Sequence, residues 1–187
     1  MIRFIRQKAG LLAIRRNRRL YRRTRKVYNL KSAQSIGIVF DATRQEDFDA
    51  VLAMYQRIAS PEKTVQVVGY IHGKEIPASY LFKKDFFLFH RKMLNWYRKP
   101  VDEDVARFIR TPFHILIDLS LQDRFCLRFI IGSCPASFKV GRYLHGKNDY
   151  DLMISLEESD DLPFFISQVE HYLETINRPE LLPNIII

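Results

Sequence analysis

The sequence predicts an α/β fold, namely a single three-layer Rossmann-like domain with a mostly parallel sheet, preceded by a basic N-terminal helix. Short, continuous apolar runs are typical of strands buried on both faces, and here they alternate with helical segments that have one apolar face. The 187 residues are enough for one such domain with a hydrophobic core. We expect a basic helical arm over 1–31, a Rossmann-like α/β domain over 35–177 and an apolar C-terminal tail over 178–187.

The N-terminal arm is predicted to be one long amphipathic helix. Residues 3–28 contain no proline and a single glycine, Gly10, which is the place where the helix can break. At about 100° per residue, the cations between positions 15 and 26 cover about half of the helix surface. One face can then dock on the domain or on a partner, while the other meets phosphates.

The first half of the domain is predicted to hold three strands and one helix. Ser35–Asp41 is an apolar run that ends at a carboxylate, and Thr64–Ile71 is a second buried strand that is rich in valine. Between them, residues 46–58 place their apolar side chains on one helical face, and Pro61 ends that helix. Residues 85–90 form a short aromatic strand.

The second half continues the alternation of helices and strands. Glycine and proline end the apolar helix that carries Cys126, and acidic residues occupy the first turn of the last helix, where the helix dipole favours them. The predicted elements are a helix over 102–109, a strand over 114–119, a helix over 121–131, strands over 138–141 and 152–156, and a helix over 160–176.

The two cysteines, Cys126 and Cys134, lie eight residues apart in an apolar segment and form no CxxC or Cys/His cluster. They predict buried free thiols in a reducing cytoplasm, with no metal site and no cofactor. The apolar stretch 9–14 is too short for a signal peptide and is followed by arginines. No run of about 18 apolar residues occurs, so we expect a cytoplasmic protein without a membrane span.

The charge of the chain is concentrated in the arm. Residues 1–31 hold 12 of the 30 Lys/Arg and none of the 21 Asp/Glu, so the rest of the chain has 18 basic and 21 acidic residues. A basic block beside a slightly acidic domain indicates a polyanionic partner, either nucleic acid or an anionic membrane surface. The alternative is a solvated, partly disordered tail.

Nine of the twelve cations in the arm are arginines, which bind phosphate bidentately and stack on bases. Arginine-rich segments often fold on structured RNA, and tyrosines among the cations can stack on unpaired bases. The sequence therefore predicts a non-enzymatic RNA-binding protein, with ribosomal RNA as the most economical partner and ribosomal or assembly proteins as further partners. The candidate nucleic-acid-binding residues are Arg15, Arg16, Arg18, Arg19, Arg22, Arg23, Arg25, Lys26, Tyr21 and Tyr28.

A second basic group is interleaved with aromatic residues between positions 83 and 99. It can extend the same RNA surface, or its aromatics can be core and its charges a solvated rim. The residues of this possible second patch are Lys83, Lys84, Arg91, Lys92, Arg98 and Lys99.

Two further functions stay open. The apolar side chains Ile5 and Leu12 beside the basic block are typical of an interfacial helix on anionic lipid, which would make this a peripheral membrane protein. Asp41 and Asp118 each follow a predicted strand, and the carboxyl ends of parallel strands line the ligand crevice of an open sheet. That placement fits a small nucleotide- or sugar-nucleotide-binding transferase, although the two side chains can equally be loop or capping carboxylates. No GxGxxG, P-loop, HExxH or nucleophile-elbow motif is present.

Three segments carry a resemblance to a known family. Residues 111–117 (TPFHILI), 136–141 (ASFKVG) and 148–154 (NDYDLMI) resemble an uncharacterised family of small cytoplasmic proteins, a domain of unknown function found mainly in Bacteroidota. The resemblance covers most of residues 1–177, including the basic N-terminal helix, and it implies no activity.

A more distant resemblance concerns residues 117–119 (IDL) and 138–141 (FKVG), which are similar to the acceptor-side half of heptosyltransferase-type glycosyltransferases of the two-Rossmann architecture. The glycine-aspartate loop expected after the first strand is replaced here by residues 41–44 (DATR). We expect no counterpart of the sugar-nucleotide-binding domain within these 187 residues. The resemblance therefore implies the fold and no catalytic residue.

Overall fold

A computed structural model of the chain describes residues 2–81, 83–146, 148–156 and 161–176, so the predicted tail over 178–187 lies outside the described residues. The strands are β1 (Ser35–Asp41), β2 (Thr64–Ile71), β3 (Phe86–His90), β4 (Ile115–Asp118), β5 (Phe138–Arg142) and β6 (Leu152–Ile154). They form one open sheet with the order β3-β2-β1-β4-β5-β6, in which every neighbouring pair is parallel. The predicted Rossmann-like α/β fold is confirmed, and the strand order reverses between β1 and β4.

Helices cover both faces of this sheet. The helices are α1 (Ile2–Leu20), α2 (Gln45–Ile58), α3 (Glu103–Arg110), α4 (Phe125–Ser133) and α5 (Leu162–Thr175), with short 3-10 turns at Ala78–Tyr80 and Arg91–Met93. One apolar core lies between the sheet and α2 with α5, and a second lies between the sheet and α3 with α4. Helix α1 packs on the outside of α4.

Strand β1 shows how the two cores share the sheet. Ile36, Ile38 and Phe40 belong to the core under α2 and α5, whereas Val39 belongs to the core under α3 and α4. All four side chains are fully buried, because side chains alternate between the two faces of a strand and both faces are covered here. Each contributes roughly 1.5–3 kcal/mol relative to an exposed position.

Aspartates set the starts of two helices. Asp102 Oδ1 accepts hydrogen bonds from the backbone N–H groups of Asp104 (3.0 Å) and Val105 (3.1 Å), and Asp161 Oδ1 accepts one from Phe164 N (2.7 Å). Each aspartate is therefore the N-cap, and α3 and α5 begin one residue later, at 103 and 162. The predicted starts at 102 and 160 are corrected accordingly.

The predicted helix over 3–28 is wrong at its C-terminal end, because α1 ends at Leu20 and residues 22–29 are not helical. Lys26 N donates to Ser137 O (3.3 Å) and Leu30 N donates to Leu173 O (2.9 Å). These bonds to distant segments replace the bonds that a continuing helix would make. We call residues 21–34 the strap, since they run along the amino ends of β5, β4 and β1. Gly10, where a break was possible, lies inside the continuous helix.

Helix α4 and strand β6 also differ from the prediction by two residues or more, whereas the remaining boundaries lie within one residue of it. Helix α4 begins at Phe125 and not at 121, because the preceding residues turn over the end of β4, where Ser120 N donates to Asp118 Oδ1 (2.9 Å). Strand β6 ends at Ile154 and not at 156.

Candidate nucleic-acid interface

Helix α1 is fixed to the domain by two glycine contacts with α4. A Cβ atom on Gly10 would lie 2.2 Å from Cζ of Phe125, so the helices approach closely only where no side chain intervenes. Ile14 is buried and lies over Gly132, where an added Cβ would be 3.0 Å from Cγ2 of Ile14. The predicted arm therefore has a defined position on the body, and the face of α1 opposite Ile14 points away from it.

Asp151 holds two cations of the predicted RNA-binding set. Arg23 forms an ion pair with Asp151, and its Nε donates to Ala136 O (2.5 Å) and its Nη2 to Ser137 O (3.2 Å). The Arg23 side chain is 16% exposed, and burial lowers the pKa of this guanidinium. Arg25 lies 3.6 Å from the other oxygen of Asp151 but is 77% exposed. Arg23 therefore fastens the strap to β5, while Arg25 stays open to solvent.

Asp149 holds a third cation of the set. Arg18 at the end of α1 pairs with Asp149, and its Nε donates to Gly132 O (2.9 Å). Both aspartates belong to the NDYD segment before β6, which gave the family resemblance its third motif. Part of the arm's positive charge is thus neutralised inside the fold.

Four arginines of the predicted set are exposed and form no ion pair within the described part of the chain. Three are on the last turns of α1, and one begins the strap. Because α1 is docked on α4, these guanidinium groups stand on a fixed surface and not on a free tail. They are Arg15, Arg16, Arg19 and Arg22.

The two tyrosines of the predicted set differ. The Tyr28 ring stacks on His114 with centroids 4.4 Å apart and planes at 8°, and Lys26 Nζ lies 5.0 Å from the Tyr28 centroid. Tyr28 therefore uses a ring face inside the fold. Tyr21 is half-buried, and it remains the better placed of the two for stacking on a base.

A groove with basic walls runs between α1 and α4. Its first part, of about 290 Å³, is lined by Arg6, Arg98 and Arg128 among others. Its second part, of about 450 Å³, has an apolar floor that includes Ile14 and Ile131, and it shares Arg128 with the first. We call the two parts together the α1 groove.

The possible second basic patch lies at both ends of β3. Lys83 and Lys84 precede this strand and Arg91 and Lys92 follow it, and all four are exposed. Arg98 is exposed and lines the α1 groove. Its loop is held to α1 by a hydrogen bond from Arg6 Nε to the carbonyl oxygen of Trp96 (2.6 Å). Lys99 is half-buried. Arg98 thus joins the arm's surface, while the other four lie along the β3 edge.

Asp41 and Asp118 lie at the carboxyl ends of the neighbouring strands β1 and β4, as the sequence predicted. Asp41 Oδ2 accepts a hydrogen bond from Arg124 Nε (2.9 Å). Asp118 accepts one from Ser120 N (2.9 Å) and another from the Tyr150 hydroxyl (2.6 Å), and burial raises the pKa of Asp118. Both carboxylates therefore cap loops at the edge of the sheet.

A pit of about 30 Å³ opens beside Asp118, between the ends of β4 and β5. Its wall includes Ser120, Arg142 and Tyr150. The Nε of Arg142 is buried and has no hydrogen-bond partner in the structure as described. The side chain of Ser120 is buried beside Asp118, and its hydrogen bond lowers the pKa of that acid. These residues were not predicted as a site, because three separate segments of the chain contribute them. The local sign in the sequence is that Arg142 directly follows the FKVG segment.

The comparison with protein families covers most of the chain. The model of a family of unknown function, DUF6913, matches residues 6–176. The chain belongs to this family. Membership of an uncharacterised domain family is thereby confirmed, and no curated protein matches the DUF6913 chain.

The cysteines of this DUF6913 protein are buried and free, as predicted. Burial raises the pKa of Cys126 to about 12 and that of Cys134 to about 11, so both thiols stay protonated near neutral pH and are poor nucleophiles. Among the described residues, no group of three or more His, Cys, Asp or Glu side chains is placed to hold a metal ion. No helix in the described ranges is long and apolar enough to cross a membrane.

Proposed function

We propose that this protein is a non-enzymatic RNA-binding protein that contacts RNA phosphates through α1 and the strap. The observation that carries this function is a set of four exposed arginines that form no ion pair among the described residues, three of them on a helix fixed to the body and one at the start of the strap. Like charges this close repel one another unless a polyanion neutralises them. Arg25 and Lys26, which are also exposed, extend the surface, whereas Arg18 and Arg23 serve to hold the arm in place.

Ribosomal RNA is the partner that we favour, because arginine-rich segments bind structured RNA and its unpaired loops. The body would then contact ribosomal or assembly proteins in the cytoplasm. A Bacteroidota origin and a distant kinship to heptosyltransferase-type glycosyltransferases stay predictions, and the proposed RNA binding depends on neither. Co-migration with a ribosomal subunit in a sucrose gradient at low salt, lost at high salt, would support this partner. Migration at the top of the gradient at both salt concentrations would contradict it.

The RNA proposal is tested by exchanging matched sets of charges. In the arm variant, the four exposed arginines are replaced by glutamine. In the control variant, four exposed cations of the β3 edge are replaced, so that the net charge changes equally. Fluorescence anisotropy with a labelled structured RNA then gives the affinity as a function of salt. The control residues are Lys83, Lys84, Arg91 and Lys92.

The arm variant is expected to lose most of its affinity, and the slope of log K against log salt should fall in magnitude by about 3, since each lost phosphate contact removes roughly 0.7–0.9. The control variant should bind nearly as the wild type does. An arm variant that kept its affinity would refute RNA binding through α1. A control variant that lost as much would show that net charge, and not this surface, drives the binding.

A second function is favoured by the other end of α1. Phe4, Ile5 and Leu12 are 60%, 51% and 61% exposed. Phe4, Lys8, Leu12 and Arg15 follow at spacings of three or four residues, so apolar and basic side chains share one outward face. Such a face is typical of a helix that lies in the interface of an anionic membrane.

The membrane function predicts that Leu12→Asp weakens co-sedimentation with phosphatidylserine-containing vesicles. Val101→Asp is a matched control, because Val101 is 60% exposed and lies outside α1. Equal effects of the two changes would argue against insertion of α1. The new carboxylate at position 12 lies one turn from Arg15 and Arg16, so Leu12→Asp should also weaken RNA binding. Leu12→Gln removes the apolar side chain without adding a charge, and it should weaken vesicle binding while RNA affinity stays nearly the same.

A further inference from the structure

We propose that the pit at the ends of β4 and β5 binds the phosphate group of a small organic phosphate of nucleotide size, whose organic part lies in the adjoining α1 groove. This site goes beyond the RNA surface. It depends on Arg142, which is not one of the exposed arginines of the arm.

The first support is an unpartnered charged donor in a small space. Arg142 Nε is buried and has no hydrogen-bond partner among the described residues. The Ser120 hydroxyl lies in the same wall of the pit, where its hydrogen bond lowers the pKa of Asp118. A buried donor that stays unpaired destabilises the fold, and an oxyanion in the pit would accept its hydrogen bond. The guanidinium is the side chain best suited to phosphate.

The position and size of the pit restrict what it holds. It lies at the carboxyl edge, next to the point where the strand order reverses, which is where open α/β sheets bind ligands. Its volume of about 30 Å³ has room for about two waters, at roughly 10–15 Å³ for each. Two phosphate oxygens can take those places, but a sugar ring or a base cannot enter.

The α1 groove supplies the remaining space. Its larger part has about 450 Å³, within the range of pockets for small ligands, and shares Arg128, Leu144 and Tyr150 with the pit. Its floor includes Ile14 and Ile131. A phosphate in the pit therefore leaves the attached organic group over an apolar surface with arginines at its rim.

The two carboxylates beside the pit do not oppose an anion strongly. The oxygens of Asp118 already accept hydrogen bonds from Ser120 N and the Tyr150 hydroxyl, and burial raises the pKa of Asp118. Asp123 forms an ion pair with Arg128, with Oδ1 3.0 Å from Nε. Arg142 forms no such ion pair among the described residues, although its charge lowers the pKa of the buried Asp118. Its Nε keeps an unused donor, and this donor favours an anion in the pit.

The test measures thermal unfolding of the full chain with potassium phosphate, adenosine 5′-monophosphate or adenosine, against potassium chloride at equal ionic strength. Phosphate reports on the pit, adenosine on the groove and the nucleotide on both. At 100 times Kd, the nucleotide should raise the melting temperature by roughly 5–10 °C. Arg142→Met should weaken phosphate and nucleotide binding at least about tenfold. Arg110→Gln is the control, because Arg110 is exposed at the end of α3.

Leu11→Gln separates the two parts of the site, since Leu11 is 44% exposed at the rim of the groove and glutamine removes apolar surface without adding a charge that would repel phosphate. It should weaken nucleotide binding and leave phosphate binding unchanged. If Arg142→Met does not fold, Arg142→Lys replaces it, because lysine keeps the charge and lacks Nε. The absence of any shift with phosphate, or a shift that survives both changes at 142, would overturn the site and leave a pit that holds only water. Phosphate binding without a gain for the nucleotide would overturn the assignment of the groove.

Discussion

Replacing Arg23 with alanine tests whether the strap is fastened to the body by a buried charge. The Arg23 side chain is 16% exposed and its partner Asp151 is 15% exposed. Arg23 also donates to the carbonyl oxygens of Ala136 and Ser137. Removing one partner of a buried ion pair costs about 3–5 kcal/mol, because the other charge stays buried. Asp151 would keep its bond from Lys139 N (2.8 Å), so we expect the lower end, about 3 kcal/mol.

Arg25→Ala is the matched control, because it removes the same charge from the same carboxylate. Arg25 is 77% exposed and lies 3.6 Å from Asp151. Exposed pairs of this kind contribute about 0–1 kcal/mol. The two alanine variants should therefore differ by at least about 2 kcal/mol in their free energy of unfolding, which corresponds to roughly 4–8 °C in melting temperature for a chain of this size.

Urea unfolding followed by circular dichroism measures this difference. A double-mutant cycle between Arg23 and Asp151 should give a coupling free energy of about 2–3 kcal/mol. RNA binding should show the opposite order, with a loss of affinity in Arg25→Ala and little loss in folded Arg23→Ala. Equal destabilisation by both changes, or a cost below about 1 kcal/mol at Arg23, would refute the buried clasp.

Three further changes test single positions. Burial lowers the pKa of Lys139 from 10.5 to about 8, so keeping this lysine protonated in the fold costs about 3 kcal/mol of stability. Lys139→Met removes that cost but also loses the hydrogen bond to Ile131 O, so it should raise the free energy of unfolding by about 2 kcal/mol at pH 7. This gain should shrink in urea titrations as the pH rises from 8 to 10.5, because the folded lysine loses its proton first, and a constant gain would contradict it. Gly10→Ala should lower the melting temperature, since a Cβ would lie 2.2 Å from the Phe125 ring. Overpacking of this kind costs about 1–3 kcal/mol, whereas alanine gains only about 1 kcal/mol in helix propensity. Adding Phe125→Leu to this variant should restore its stability. Asp118→Asn should make stability less dependent on pH above about 4. Burial raises the pKa of Asp118 in the folded protein, so the wild type loses stability as the pH rises from the unfolded pKa through the folded pKa. A pH profile of stability that is the same in both proteins would contradict this.

The sheet was predictable because its signal is local. A strand such as Ile115–Asp118 is buried on both faces, so every side chain along it is apolar up to the final aspartate, and no long-range information is needed to recognise it. The start of a helix is less certain by a residue or two. Asp102 and Asp161 read equally well as the first helical residue or as the cap before it, and only their bonds to backbone N–H groups decide.

The end of α1 was not predictable from its own sequence. Residues 21–28 have no proline or glycine, and nothing within them stops a helix. The helix ends because the following backbone finds better partners at Ser137 and Leu173, more than 100 positions away. Tertiary contacts of this kind override helix propensity, which differs by less than about 1 kcal/mol per residue among ordinary side chains.

The same long-range contacts change the meaning of the basic run. In the sequence, Arg22 and Arg23 are equivalent neighbours in one block of cations. In the structure, Arg22 is exposed and Arg23 is half-buried against Asp151. The distinction depends on an aspartate 128 residues away, so charge density alone overstates how many arginines are available to a partner. The number of arginines available to a partner is therefore smaller than the number in the sequence, because the fold itself neutralises some of them. The arginines that remain are Arg15, Arg16 and Arg19 on α1 and Arg22 at the start of the strap, which are fewer than the predicted set but fixed in orientation. Arginines on a fixed surface lose less conformational entropy on binding a polyanion than those of a free arginine-rich tail.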